Sequence, residues 1–112
     1  MQPDDRVRLL HIRDAANAAI AFATGRELQD LQSDLQLQFA LVRAIEIIGE
    51  AASKVGSDAR DLDPQIPWPS IVSMRNRLIH AYFDVDNEIL WNTVVEALPV
   101  LKRQIEALLD RY

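Results

Sequence analysis

Along the chain, apolar residues recur every three or four positions with polar ones between them, and nowhere do they alternate singly as a half-buried strand requires. The spacing predicts an all-α domain. The first helix begins at Asp4 or Asp5, where a carboxylate can cap free N–H groups, and ends near Gly25. Val7, Leu10, Ala15, Ala18 and Phe22 form its apolar stripe, with Arg6, Arg13 and Asp14 outside. A turn of helix over 27–31 leads to Ser33 or Asp34 as the next cap. A long helix from 35 to about 55 carries Phe39, Val42, Ile45, Ile48 and Ala52 on one face, and Gly56 stops it.

Residues 56–69 read as the one long irregular stretch, because Pro64, Pro67 and Pro69 fix the chain and push the residues before them toward extended shapes. A helix from 70 to about 82 follows, with Pro69 suited to its first turn. Asp84 or Asp86 caps the last helix, where Ile89, Leu90, Val94, Leu98, Leu101, Ile105 and Leu108 face inward and Pro99 introduces a kink. The result is an antiparallel bundle of about four to five helices in a single domain, residues 1–112. No internal repeat, low-complexity segment or linker interrupts it. Trp68, Trp91, Phe39 and Phe83 read as packing residues, and His11 as structural.

Composition narrows the chemistry. With 112 residues and 49% hydrophobic content, the chain suffices for one core. There is no cysteine, and two histidines alone build no zinc site, so neither a disulfide framework nor a metal cofactor is expected. No apolar run approaches the ~20 residues that span a bilayer, and the N-terminal residues lack the pattern of a secretory signal. A soluble, cytoplasmic protein is expected. A net charge of −5 argues against holding nucleic acid by bulk electrostatics. Ten of the twelve basic residues are arginine, however, and a few arginines at a groove act locally. No helix-turn-helix with a basic recognition helix stands out, so DNA is not expected as a partner.

The candidate chemistry lies in Met74-Arg75-Asn76-Arg77-Leu78-Ile79-His80-Ala81-Tyr82, which has the pattern R-x-x-x-x-H-x-Y. Cleaving an RNA phosphodiester needs a cation on the phosphate and a group that exchanges protons near neutral pH. Arginine grips phosphate through parallel hydrogen bonds, and histidine has the side-chain pKa nearest physiological pH. Taken singly, Arg75 also reads as a surface ion-pair residue and His80 as a helix-terminal histidine. Arg77 divides between phosphate contact and a solvated face. On a continuous helix Asn76 and His80 lie roughly 40° apart, whereas Arg75 lies roughly 140° from His80. Arginine and histidine therefore meet only if His80 sits at a helix end or if two copies face each other across a twofold axis.

Glu46 and Glu50 share a face of the long helix, with Arg43 three residues before Glu46. They read as ion-pair partners for Arg75 or Arg77, against the less favoured reading of a catalytic carboxylate pair. Gly49 between them costs up to ~1 kcal/mol relative to alanine and is tolerated best where another backbone approaches. This face is expected to meet the motif helix.

Glu46-Ile47-Ile48-Gly49-Glu50-Ala51-Ala52, Ile66-Pro67-Trp68-Pro69, the motif itself, Tyr82-Phe83-Asp84-Val85-Asp86 and Leu98-Pro99-Val100-Leu101 follow one another in this order. In that arrangement the chain resembles, over nearly its whole length, the HepT-like toxins of the HEPN superfamily. Those are small helical proteins encoded beside an MNT-type nucleotidyltransferase antitoxin. The resemblance implies a homodimer that brings two motifs into one cleft, and a metal-independent endoribonuclease with Arg75, Asn76 and His80 as its catalytic set. Arg77, Glu46 and Glu50 would support it or contact RNA. It further implies that the antitoxin AMPylates Tyr82, silencing the toxin; the residues alone leave Tyr82 equally open to a packing role. The alternative is a catalytically silent HEPN dimer acting as a nucleotide-binding or scaffold partner of the nucleotidyltransferase.

Overall fold

The computed structural model describes residues 1–80 and 84–112. Helix α1 spans Pro3–Ala23, with proline at a first-turn position where its missing N–H costs nothing. The residue before the helix is Gln2 and the first helical residue Pro3, so the expected start at Asp4 or Asp5 is late by one or two residues. Asp5 instead sits buried in the first turn, accepting the Gln2 N–H at 3.4 Å and, across the fold, the Gly56 N–H at 2.9 Å. A buried carboxylate is tolerable there because both oxygens are used.

The inward face of α1 is not the stripe expected from the sequence. Leu9, Ile12, Ala16, Ala19 and Ala23 are buried, spaced three and four apart, whereas Val7 and Phe22 are exposed and Leu10 is only partly covered. Of the expected stripe, Ala15 alone is buried. Large side chains misled: the seam is rich in alanine, which lets α1 approach helix α3 (Leu35–Ser53) closely. The chain reverses at Gly25, whose φ of 77° suits glycine, and passes through the short helix α2 (Asp30–Ser33). Asp34 caps α3, accepting the Leu37 N–H at 3.1 Å. Arg26 clamps this corner, donating to Asp34 at 2.9 Å and to Asp30 at 3.4 Å. Chiefly through that Arg26 hydrogen bond, and also the Leu37 N–H, the Asp34 carboxyl is held below its usual range.

Along α3, Leu41, Ile45, Ile48 and Ala52 are buried. Phe39, expected inside, is 63% exposed beside exposed Leu35. Residues 56–69 are less irregular than their prolines suggest, because Ser57–Asp61 forms helix α4 with Gly56 before it. Trp68 is buried as expected; its Nε1 donates to the Asp63 carbonyl at 3.3 Å, and the Arg60 guanidinium lies 5.8 Å from its ring centre.

The single helix expected over 70–82 is two short ones, α5 (Trp68–Val72) and α6 (Met74–Leu78). Ser73 separates them, and its hydroxyl donates to the Pro69 carbonyl at 3.0 Å, a back-bond that bends helices. Ile79 then turns extended and bridges Val85, so His80 lies beyond the helix. The last helix is α7 (Asn87–Asn92), a π-helical segment (Thr93–Ala97) and α8 (Leu98–Arg111). The irregularity expected at Pro99 takes this π form, since proline offers no N–H to the carbonyl a turn earlier. Leu90, Val94, Leu98, Leu101, Ile105 and Leu108 face inward as expected, while Ile89 is exposed.

α1 packs on both α3 and α8, and α3 carries α5 and α6 on its other side. Among the described residues the regular structure is all helical apart from the isolated Ile79–Val85 bridge. No helix among the described residues is long and apolar enough to cross a membrane.

Candidate active site

Gly49 sets the position of the motif. A Cβ there would stand 3.3 Å from the Val72 carbonyl oxygen and 3.4 Å from that of Ile71, so glycine lets the end of α5 rest on α3 without displacing its backbone. The next helix, α6, begins two residues on and presents Arg75 to α3. There the Arg75 Nε donates to Glu46 Oε2 at 2.9 Å. Of the two partners expected for the α3 carboxylates, Arg75 is the one that pairs. Arg77 folds back on its own segment, its Nη1 donating to the Ser70 carbonyl at 3.1 Å and the Ser73 hydroxyl at 3.3 Å. Glu50 faces Lys54 at 3.6 Å, one turn along α3.

Arg75 and Asn76 line a cleft of about 380 Å³ with Arg43, Glu46, Gly49, Glu50, Ser53 and Val72. Because Glu46 engages only the Nε of Arg75, the outer guanidinium nitrogens keep their fork for an anion. The bond to Glu46 holds the guanidinium in place before any ligand arrives.

His80 stands apart from that cleft's lining. Its backbone N–H donates to the Asp84 carbonyl at 2.8 Å, and the Asp86 N–H donates back to the Leu78 carbonyl at 2.7 Å. Together with the Ile79–Val85 bridge, these bonds hold His80 beside the residues that lead into α7. Asp86 serves twice. Its Oδ1 accepts the Ile89 N–H at 3.0 Å and caps α7, while its Oδ2 lies 3.7 Å from His80 Nε2. That separation exceeds a hydrogen bond but suits attraction to a protonated imidazole. The expected shared face of Asn76 and His80 does not form, because the helix ends at Leu78.

Sequence reasoning took Asp86 only as a helix cap and missed its approach to His80. Arg43 was noted by its spacing from Glu46 but not as part of the cleft. Tyr82 and Phe83 lie outside the described residues. Among the described residues, no group of three or more His, Cys, Asp or Glu side chains is placed to hold a metal ion.

Comparison with known proteins converges on one family. Residues 12–108 match the model of the family described as "Ribonuclease HepT-like". A Thermococcus cleftensis protein named "Probable ribonuclease HepT" is 49% identical over 80 residues, covering 71% of this chain and 73% of its own length. A candidate RNase of Methanocaldococcus jannaschii is 36% identical over 103 residues, covering 92% and 94% of the two chains. A candidate RNase of Caldanaerobacter subterraneus is 35% identical over 106 residues, covering 95% of each. No solved structure matches. With the match running from within α1 to near the end of α8, through the cleft and the histidine loop, the chain belongs to the HepT-like ribonuclease family.

Proposed function

We propose that this protein is a metal-independent endoribonuclease and the toxin of a toxin-antitoxin pair, with Arg75 holding the scissile phosphate and His80 moving protons. The observation that carries this reading is Arg75 fixed by Glu46 at 2.9 Å at the mouth of an open cleft, its outer nitrogens aimed at no protein partner among the described residues. A guanidinium held this way stabilises the extra charge that develops on phosphate in the transition state.

The chemistry follows from histidine. One His80 takes the proton of the ribose 2′-OH, whose oxygen forms a bond to phosphorus. A second His80 gives a proton to the departing 5′-oxygen as its bond to phosphorus breaks. The products are a 2′,3′-cyclic phosphate and a 5′-hydroxyl. Each proton transfer contributes roughly 10²–10⁴ in rate. Asn76 orients a phosphate oxygen.

Two histidines require two chains. The separation of His80 from the Arg75 cleft within one chain supports a homodimer, and so do Leu35 and Phe39, exposed on the α3 face that continues into Glu46. Phe39→Asp is expected to shift the protein toward monomer in sedimentation equilibrium; an unchanged mass would remove that face from the interface. Silencing by an MNT-type nucleotidyltransferase is assigned to AMPylation of Tyr82, which adds bulk and negative charge two residues from His80 and so repels RNA.

The test is expression of wild-type, His80→Ala and Tyr82→Phe protein in a bacterial host without the partner, followed by incubation of each with RNA in EDTA. Growth arrest and EDTA-resistant cleavage by wild type but not His80→Ala are expected. Tyr82→Phe should stay toxic when the nucleotidyltransferase is co-expressed. If wild type and His80→Ala behave alike and neither cuts RNA, the protein is instead a silent dimeric partner of the nucleotidyltransferase.

A further inference from the structure

A second hollow of about 260 Å³ lies between α1 and α3, lined by Arg8, His11, Arg43, Ile47, Glu50, Ala51 and Lys54. It shares Arg43 and Glu50 with the Arg75 cleft, so the two adjoin across these side chains. Its charge is out of character for the molecule. Arg8, Arg43, Lys54 and Arg75 stand against Glu46 and Glu50, a formal charge of +2 on a chain whose net charge is −5, which leaves −7 on everything else.

The two carboxylates are already engaged, Glu46 with Arg75 and Glu50 with Lys54. Arg8 and Arg43 take part in no salt bridge among the described residues, and the Nε of Arg8 is buried without a hydrogen-bond partner. A buried guanidinium nitrogen left unpaired is costly, and an anion in the hollow would relieve that cost. Arg8 and His11 lie three residues apart on α1, and Arg43, Ile47, Glu50 and Lys54 follow one flank of α3 at intervals of three and four. The cations therefore form a row, not a point. From Arg43 to Lys54 the row extends about 16 Å along α3 at the helical rise.

We infer that this groove is a track for the backbone of single-stranded RNA, in which Arg8, His11, Arg43 and Lys54 hold phosphates beside the scissile one at Arg75. The inference rests on the ribonuclease reading for its ligand. It explains how an acidic protein keeps an RNA substrate: repulsion by the remaining surface confines the strand to the one positive row. A floor of Ile47 and Ala51 with no aromatic side chain favours backbone contact over base stacking, so affinity should depend on length and salt more than on sequence.

The experiment measures binding of a labelled single-stranded RNA of about a dozen nucleotides to His80→Ala protein, which leaves the strand uncut. It is repeated in that background with Arg8→Gln, Arg43→Gln and Lys54→Gln together, and with Lys102→Gln, Arg103→Gln and Arg111→Gln as a charge-matched control on α8. Circular dichroism establishes that each is folded. The groove triple should weaken binding at least tenfold at low salt and flatten the slope of log affinity against log salt by about two, since each phosphate contact on a single strand contributes ~0.7. The α8 triple should change neither. Equal weakening by both triples, or a groove triple with wild-type affinity and slope, overturns the track. Cleavage of the same RNA by wild type separates the two readings. Cleavage without groove dependence sinks the track alone, whereas groove dependence without cleavage sinks the ribonuclease alone. Absence of binding sinks both.

Discussion

The α1–α3 pair and the segment from Trp68 to Asp86 lie against each other and are built by different means. The pair is two long helices joined by buried Leu, Ile and Ala at helical spacing. The segment, as far as its described residues go, is two five-residue helices seated by buried Trp68, Ile71, Met74 and Leu78 and shaped by single bonds from side chains and backbone: Ser73 to Pro69, Arg75 to Glu46, His80 to Asp84, Asp86 to Leu78. Burial stabilises both, but only the second owes its shape to single hydrogen bonds. Short helices have little stability of their own, so the segment keeps its form only while docked on α3. That division leaves the arginine and histidine at the surface, free to meet a ligand, on a support that does not need them.

If the division is real, Arg75→Ala should have the largest effect on activity and almost none on stability. Loss of the phosphate grip should lower RNA cleavage by about 10²–10³-fold. The Arg75–Glu46 pair is partly exposed and contributes roughly 0–1 kcal/mol. Cleavage assays and thermal melts on one preparation decide it. A melt that falls with activity would mean that the segment holds up the fold and the comparison is wrong.

Ile48→Ala tests the opposite side. Ile48 is fully buried on α3, and its truncation should destabilise the protein by about 2–5 kcal/mol. Cleavage per folded molecule at low temperature should stay near wild type. Chemical denaturation together with active-site-normalised rates would show whether core damage reaches the site.

Gly49→Ala attacks the place where the two regions touch. Alanine favours the α3 helix by up to ~1 kcal/mol, but its methyl would meet the Val72 carbonyl at 3.3 Å, and that atom belongs to a backbone and not to a flexible side chain. α5 must shift, at a cost of about 1–3 kcal/mol, and Arg75 shifts with it. The expected signature is a fall in cleavage out of proportion to the fall in stability. A stable variant with wild-type rates would show that the contact does not position the arginine.

The same contrast explains what the sequence made legible. Ile45, Ile48, Ala52 and the run from Leu90 to Leu108 were readable because long helices impose one period on large apolar side chains. α1 was misread where alanine carries the seam, since alanine contributes little to an apolar pattern yet decides how closely helices approach. Phe39 was misread because hydrophobicity alone does not say whether a side chain faces the core or the surface. In the motif segment, the Glu46–Arg75 pair and the tight contact at Gly49 were legible, because a partly buried arginine and a mid-helix glycine each demand an explanation. The break at Ser73 and the approach of Asp86 to His80 were not, since both arise from hydrogen bonds that no periodicity announces.

The smallest effect lies at the corner that joins α1 to α3, and it should touch stability alone. Asp34 caps α3 through the Leu37 N–H while Arg26 donates to its other oxygen, and these bonds, the Arg26 bond first, lower its carboxyl pKa in the folded state. A depressed folded pKa means that the carboxylate adds stability above the unfolded value, about 3.9, and that this stability is lost as pH falls through the lower folded value. The corner is solvent-exposed, so the effect is small. Asp34→Asn keeps an acceptor for the cap but loses the charge facing Arg26. Denaturant titrations of both proteins should therefore differ slightly at neutral pH and converge as pH falls below the unfolded value and through the lower folded one, with cleavage at neutral pH unchanged. Curves that stay parallel into acid would place the contribution of Asp34 in the cap alone, and a change in cleavage would mean that the corner is coupled to the motif segment through α3.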